Sequence, residues 1–174
     1  MSRIVVTGPE STGKTTLARY LARQTHSVYV PEFAREYLDK TKGRYKEEDL
    51  LKIAEGQVVL EAKLTMKRCG CNIIADTDLL VIKIWAEHKY GRCNTKILNL
   101  LNENLADLYL LCFPDLPWEP DPQRENPDKG IFFFQWFERE LKSLKRPYFV
   151  VKGAGVERHE RALEHLDREV FGKT

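Results

Sequence analysis

Residues 4–16 read Ile4-Val5-Val6-Thr7-Gly8-Pro9-Glu10-Ser11-Thr12-Gly13-Lys14-Thr15-Thr16. An apolar β-branched run leads into a loop bounded by two glycines, and the loop leads into helical spacing. Gly8 to Thr15 matches GxxxxGK[ST], in the strand–loop–helix context that this pattern requires. Gly8 and Gly13 permit backbone torsions and a close approach that a β-carbon would obstruct. Successive backbone N–H groups across Glu10, Ser11 and Thr12 then converge on one concavity, reinforced by the positive end of the following helix. Lys14 is placed to reach terminal phosphates, the Thr15 hydroxyl to ligate Mg²⁺, and Thr16 to close the nucleotide-binding set. The competing reading, a glycine turn capped by threonine, explains neither Lys14 nor the flanking elements.

The chain has 174 residues, long enough for one domain over 1–174 with a single core. Lys+Arg minus Asp+Glu is 28 − 26 = +2, too balanced for the broad basic footprint of a nucleic-acid binder. A hydrophobic share of 43% and a charged share of 31% describe a soluble globular protein. No apolar run has the length of a membrane span, and the N-terminus reads as strand and phosphate loop, so a cytoplasmic location is expected. Cys69, Cys71, Cys93 and Cys112 lack metal-ligand spacing and read as reduced thiols.

Outward from the loop, short buried strands alternate with helical spacing. Strands are expected at 3–7, 27–30, 72–75, 108–113 and 148–151. Helices are expected at 14–24, 32–38, 47–67, 79–87, 94–105, 131–144 and 156–170. This alternation predicts an α/β, three-layer P-loop NTPase with a five-stranded, mostly parallel sheet. A segment with five prolines, 114–130, is expected as a short lid; the bland alternative is a solvated loop.

Ligands of open parallel sheets collect at the carboxyl ends of the strands. Asp76 follows Asn72-Ile73-Ile74-Ala75 and suits metal duty beside Thr15, with helix capping as the alternative. Asp78 suits either capping or substrate contact. Glu32, just past Pro31, suits a catalytic base or a ribose contact; otherwise it complements a helix dipole and pairs with Arg35. Gln57 interrupts the stripe Leu50, Ile53, Leu60, Leu64, so it either reaches a pocket or satisfies backbone groups. Glu61 raises the same question on the next face. Arg124 can neutralise charge developing on a transferred phosphoryl group, and Trp118 offers a broad surface for packing or stacking.

The phrases GPESTGKTTLA, VPEFAREYL, EEDLLKIAEGQ, ADTDLLVIKIWAEHKYG and DLYLLCFPDLPWEPDPQRE, in that order, resemble the NadR-type ribosylnicotinamide kinase domain. The resemblance implies a P-loop kinase that phosphorylates the ribose 5′-hydroxyl of nicotinamide riboside with Mg·ATP in NAD salvage. It implies Lys14, Glu32, Asp76 and Arg124 as catalytic groups, and Thr15 with Asp76 as the Mg²⁺ pair. It places Gly153 and Arg158 at the adenine and Glu32 at the sugar; Arg35, Gln57 and Asp78 are expected beside Glu32 on the substrate side. Pro31 and Phe33 flank Glu32 where the bifunctional type is expected to carry larger aromatics, and no adenylyltransferase domain is expected here. A nucleotide and a riboside are the expected partners, with no nucleic acid and no membrane; a homo-oligomer is compatible with the sequence. Two other readings stay open: a kinase for another nucleoside or small hydroxyl metabolite, and a regulatory ATPase or GTPase without an acceptor. The guanine-specifying Asn-Lys-x-Asp pattern is absent from the sequence.

Overall fold

In the computed structural model β1 (Arg3–Thr7) is the central strand, and the chain winds outward from it in both directions. The residues described are 1–68 and 70–172, so Cys69 of the cysteine reading lies outside them. The other strands are β2 (Val28–Val30), β3 (Ile73–Asp76), β4 (Leu108–Cys112) and β5 (Tyr148–Val151). The helices are α1 (Lys14–Gln24), α2 (Phe33–Lys40), α3 (Glu47–Met66), α4 (Leu79–Tyr90), α5 (Thr95–Glu103), α6 (Gly130–Ser143) and α7 (Gly155–Leu166). A π-helical turn, Asp167–Phe171, continues α7.

The five strands lie in the order β2-β3-β1-β4-β5, and every pairing is parallel. Antiparallel pairing, allowed by the sequence reading, does not occur among the described residues. Each strand returns through a helix, as parallel neighbours require. The period-two alternation of strand side chains divides the core in two. Val5, Ile73, Ala75, Tyr109 and Leu111 face the layer built by α3, α4, α5 and α6. Ile4, Val6, Ile74, Leu110 and Cys112 face α1 and α7 through Leu17, Leu21, Ala162 and Leu166. Ile4, Val5 and Val6 are wholly buried, each stabilising the fold by about 1.5–3 kcal/mol. That burial on both faces is why their run shows no polar alternation.

Register carries this packing to the site. Val6 pairs with Asp76, and Thr7 pairs with Leu111. The ends of β1 and β3 therefore emerge side by side, where the winding reverses direction.

Asp78 takes no part in that opening. It is buried, accepts the Leu80 N–H at 3.0 Å as the cap of α4, and accepts the Tyr109 hydroxyl at 3.0 Å. Arg3 completes this cluster, 3.6 Å from Asp78 and bonded to both carboxylate oxygens of Glu61 at 2.5 and 3.0 Å. Burial pushes the Asp78 carboxyl above its ordinary value, against the pull of Arg3. Of the two roles the sequence left open for Asp78, the structure shows the cap. Glu61 likewise ends in an ion pair with Arg3 at the start of β1, outside the residues that line the cleft.

Candidate active site

The phosphate loop is held by its own backbone. Gly8 has φ 131°, and a β-carbon there would lie 2.8 Å from the carbonyl oxygen of Cys112. Gly13 has φ 71° and opens α1 as its N-cap. Ser11 also has positive φ, so the loop curls and its amides turn inward. The Thr12 hydroxyl donates to the Pro9 carbonyl at 2.8 Å, and Lys14 Nζ donates to the same oxygen at 2.6 Å. Thr15 and Thr16 form the first turn of α1, over the helix dipole.

Asp76 is buried at the end of β3. Its Oδ2 accepts the Tyr29 hydroxyl at 3.4 Å, whereas Oδ1 has no hydrogen-bond partner among the described residues. A buried carboxylate oxygen without a donor, next to the start of the phosphate loop, fits a divalent cation shared with Thr15. The cap alternative falls to Asp78, which does that work.

Glu32 is the N-cap residue of α2, yet its carboxylate makes no capping bond. Gln57 does instead: its Oε1 accepts the Phe33 N–H at 2.8 Å, and its Nε2 donates to the Pro31 carbonyl at 3.3 Å. Gln57 is buried, so the sequence alternative in which it satisfies backbone groups is the one observed. Glu32 lines the cleft while close protein walls desolvate its carboxyl and raise its pKa. Lys14 opposes that rise and Asp76 adds to it. Arg35 also lines the cleft, and pairs with Asp121 of the 114–130 segment at 3.0 Å rather than with Glu32.

That segment folds over the phosphate loop. The Glu10 carboxylate accepts the backbone N–H of Glu125 at 3.2 Å and of Asn126 at 3.1 Å. Ser11 Oγ accepts the Glu119 N–H at 2.9 Å and an Arg124 N–H at 3.3 Å. Arg124 lies over the Trp118 ring, 5.9 Å from its centroid, and donates to the Glu119 carbonyl. Gln123 anchors the far side by donating to Asp39 on α2 at 2.6 Å.

Arg158 is buried, and both terminal nitrogens of its guanidinium are bonded while Nε has no partner among the described residues. Its NH1 donates to Asp115 at 2.9 Å and to the Gly153 carbonyl at 2.8 Å, and its NH2 donates to the Thr12 carbonyl at 2.7 Å. The Gly153 N–H donates to Asp115 at 2.6 Å. Gly153 and Arg158 therefore lock the rim of the nucleotide loop, and Asp115, which the sequence did not single out, is their common partner.

Lys14, Glu32, Arg35 and Arg124 open into one cleft, continuous with solvent. Its far wall is aromatic: Tyr45, Trp85, His88, Phe133 and Phe137. Trp85 donates to the Tyr45 hydroxyl at 2.8 Å, the two rings standing edge to face at 4.7 Å. Lys89 donates to the same hydroxyl and pairs with Glu125 at 3.3 Å. Sequence reasoning missed this wall, because its rings come from a loop and two separate helices. A signal was available in Trp85 and His88, three residues apart on one helix face. Phe33 does not join them. Its ring packs on α3, where a β-carbon on Gly56 would lie 2.1 Å away.

Residues 3–158 match the protein family described as AAA domain. The trifunctional NAD biosynthesis/regulator protein NadR of Salmonella typhimurium is 24% identical over 127 residues, covering 70% of this chain and 30% of that protein. Its counterpart in Escherichia coli gives the same figures. The chain thus spans less than a third of the length of these curated relatives. Among solved structures, NadR protein in complex with NAD and AMP-PNP superposes with a TM-score of 0.79 at 20% identity, covering 96% of this chain and 49% of that one. NadR in complex with NR gives 0.78 at 20% identity over 96% and 50% of the two chains. Deoxyadenosine kinase from M. mycoides gives 0.61 at 15% identity, over 96% of this chain and all of that one. These likenesses establish the P-loop kinase fold.

Proposed function

The chain belongs to the AAA domain family, and on that premise we propose that it is a Mg·ATP-dependent phosphotransferase acting on the ribose 5′-hydroxyl of nicotinamide riboside. The observation that carries this reading is the convergence of Lys14, Glu32 and Arg124 on one cleft with an aromatic far wall. A phosphate loop alone binds nucleotide; a desolvated carboxylate facing a roomy aromatic cavity supplies a place for an acceptor.

In this reading the Glu32 carboxylate takes the proton of the 5′-hydroxyl as that oxygen bonds to the γ-phosphorus. The bond to the β–γ bridging oxygen breaks, and ADP leaves. Lys14 and Arg124 neutralise the charge that spreads over the transferred group. Thr15 and Asp76 would hold Mg²⁺, which supplies further charge neutralisation on the terminal phosphates when bound. Residues 114–130 exclude water, which would otherwise hydrolyse ATP. The raised pKa of Glu32 makes it a stronger proton acceptor than an ordinary carboxylate.

The acceptor is read from the wall and from the relatives. Tyr45, Trp85, His88 and Phe133 offer ring faces and edges to a flat base. Similarity to NadR, solved with NR in one structure, supports the riboside. The same rings would also stack a neutral base, so another nucleoside is the second reading. Purified protein with ATP should convert nicotinamide riboside to its 5′-monophosphate, read by mass spectrometry beside adenosine, deoxynucleosides and an acceptor-free control. Phosphorylation of a different nucleoside alone would transfer the assignment to that substrate.

A further inference from the structure

The mid-helix pair Gly56-Gln57 of α3 is built around the corner that carries Glu32. Glycine inside a helix costs about 1 kcal/mol relative to alanine, so its presence there needs a reason. The reason is Phe33: a β-carbon on Gly56 would lie 2.1 Å from Cε1 of that ring. One residue on, the buried Gln57 accepts the N–H of Phe33 and donates to the carbonyl of Pro31. The side chain therefore bridges the peptide groups on both sides of Glu32. It also takes one of the orphan N–H groups of the first turn of α2, that of Phe33 at N1. Glu32 makes no capping bond to its own helix, and its carboxylate lines the cleft.

We infer that Gln57, seated by Gly56, is a positioning residue that holds the Glu32 carboxylate toward the phosphate-transfer centre. The inference rests on the phosphotransferase reading for its kinetic consequence, but its geometry stands apart from that reading. Gln57 acts through Glu32 and touches neither nucleotide nor acceptor. It recognises a main-chain corner, so its effect falls on turnover, whereas substrate affinity is set by other residues.

The test is a double-mutant cycle of Gln57→Met and Glu32→Gln, reading kcat and the KM for ATP. Methionine keeps the volume and removes both hydrogen bonds. Gln57→Met should lower kcat at least tenfold in the wild-type background, leave the KM for ATP within twofold, and change kcat less than twofold when Glu32 is already glutamine. Gln57→Glu, which keeps the acceptor for the Phe33 N–H, should recover part of the loss, and it replaces Gln57→Met should that variant not fold. Equal losses in both backgrounds would show general structural damage and overturn the inference. Absence of acceptor-dependent turnover in the wild type would refute the phosphotransferase reading alone. The positioning role is then decided by the Glu32 carboxyl resonance in ¹³C-glutamate-labelled protein. The charges facing it are Lys14 and Glu10 of the phosphate loop, Asp76 of β3 and Arg35 of α2. Gln57→Met should move its titration toward that of an ordinary glutamate; an unchanged titration contradicts the inference.

Discussion

The guanidinium of Arg158 holds the Asp115 carboxylate at 2.9 Å and, through its other terminal nitrogen, the Thr12 carbonyl at 2.7 Å. One buried side chain from α7 thus ties the phosphate loop to the root of the 114–130 segment. Buried charge is expensive unless it is paired and hydrogen-bonded, and NH1 finds a second partner in the Gly153 carbonyl. The shape of the nucleotide loop consequently depends on a residue at the far end of the sequence.

Arg158→Leu should destabilise the fold by about 1–3 kcal/mol, since it leaves the Thr12 and Gly153 carbonyls without their donor. Urea denaturation measures the loss. Arg158→Lys should restore only part of it, because a point charge cannot serve three acceptors arranged around a planar fork. A change within about 0.5 kcal/mol for the leucine variant, the range of an ordinary surface substitution, would contradict the latch.

Lys14→Ala should leave circular dichroism and Tm near those of the wild type, because the ammonium contributes one hydrogen bond to the Pro9 carbonyl. Turnover should fall by a factor of about 10² or more, the scale for removal of one preorganised charge-stabilising donor. Retained turnover would remove Lys14 from the phosphate site.

Glu32 gives two linked pH effects. Desolvation raises its folded-state pKa, so the folded protein binds that proton more tightly than the unfolded chain does. The associated stabilisation is complete below the ordinary glutamate pKa and is lost as pH rises through the raised value. Glu32→Gln should therefore be more stable than the wild type at neutral pH and lose that advantage in acid, as thermal melts at several pH values would show. Turnover requires the deprotonated form, so the acid limb of kcat should lie above the usual carboxylate range and vanish in Glu32→Gln. An acid limb that survives in Glu32→Gln assigns the base elsewhere.

Trp85→Ala should raise the KM for the riboside about tenfold or more, since stacking a base on an aromatic ring is worth about 1–3 kcal/mol. The loss includes Tyr45, whose hydroxyl Trp85 holds at 2.8 Å. The KM for ATP should change little. Steady-state kinetics with each substrate varied in turn would expose a wrong assignment as a shift in the ATP term.

The sequence made the parallel sheet legible because burial on both faces leaves continuous apolar runs such as Ile4-Val5-Val6. Helix spacing was as clear: Leu17, Ala18, Leu21 and Ala22 are the buried residues of α1. The phosphate loop could be read because its torsions demand particular residues at particular spacings. What stayed hidden was contact between distant segments. Asp115 gains its meaning from Arg158, and Tyr45 from Trp85 and Lys89, across separations that no local pattern records. Asp78 and Gln57 each allowed two roles in the sequence, because a polar group at a strand end or on a helix stripe can serve ligand or backbone alike. Tertiary neighbours settle their partners: Tyr109 and Arg3 surround Asp78, and Pro31 and Phe33 occupy Gln57.

The most direct test of the central claim is the dependence of ADP formation on acceptor, measured with purified protein, ATP and Mg²⁺. Saturating nicotinamide riboside should increase ADP release far above the acceptor-free rate and yield one phosphorylated riboside per ADP. ADP release at one unchanged rate, with or without any nucleoside acceptor, would contradict the account.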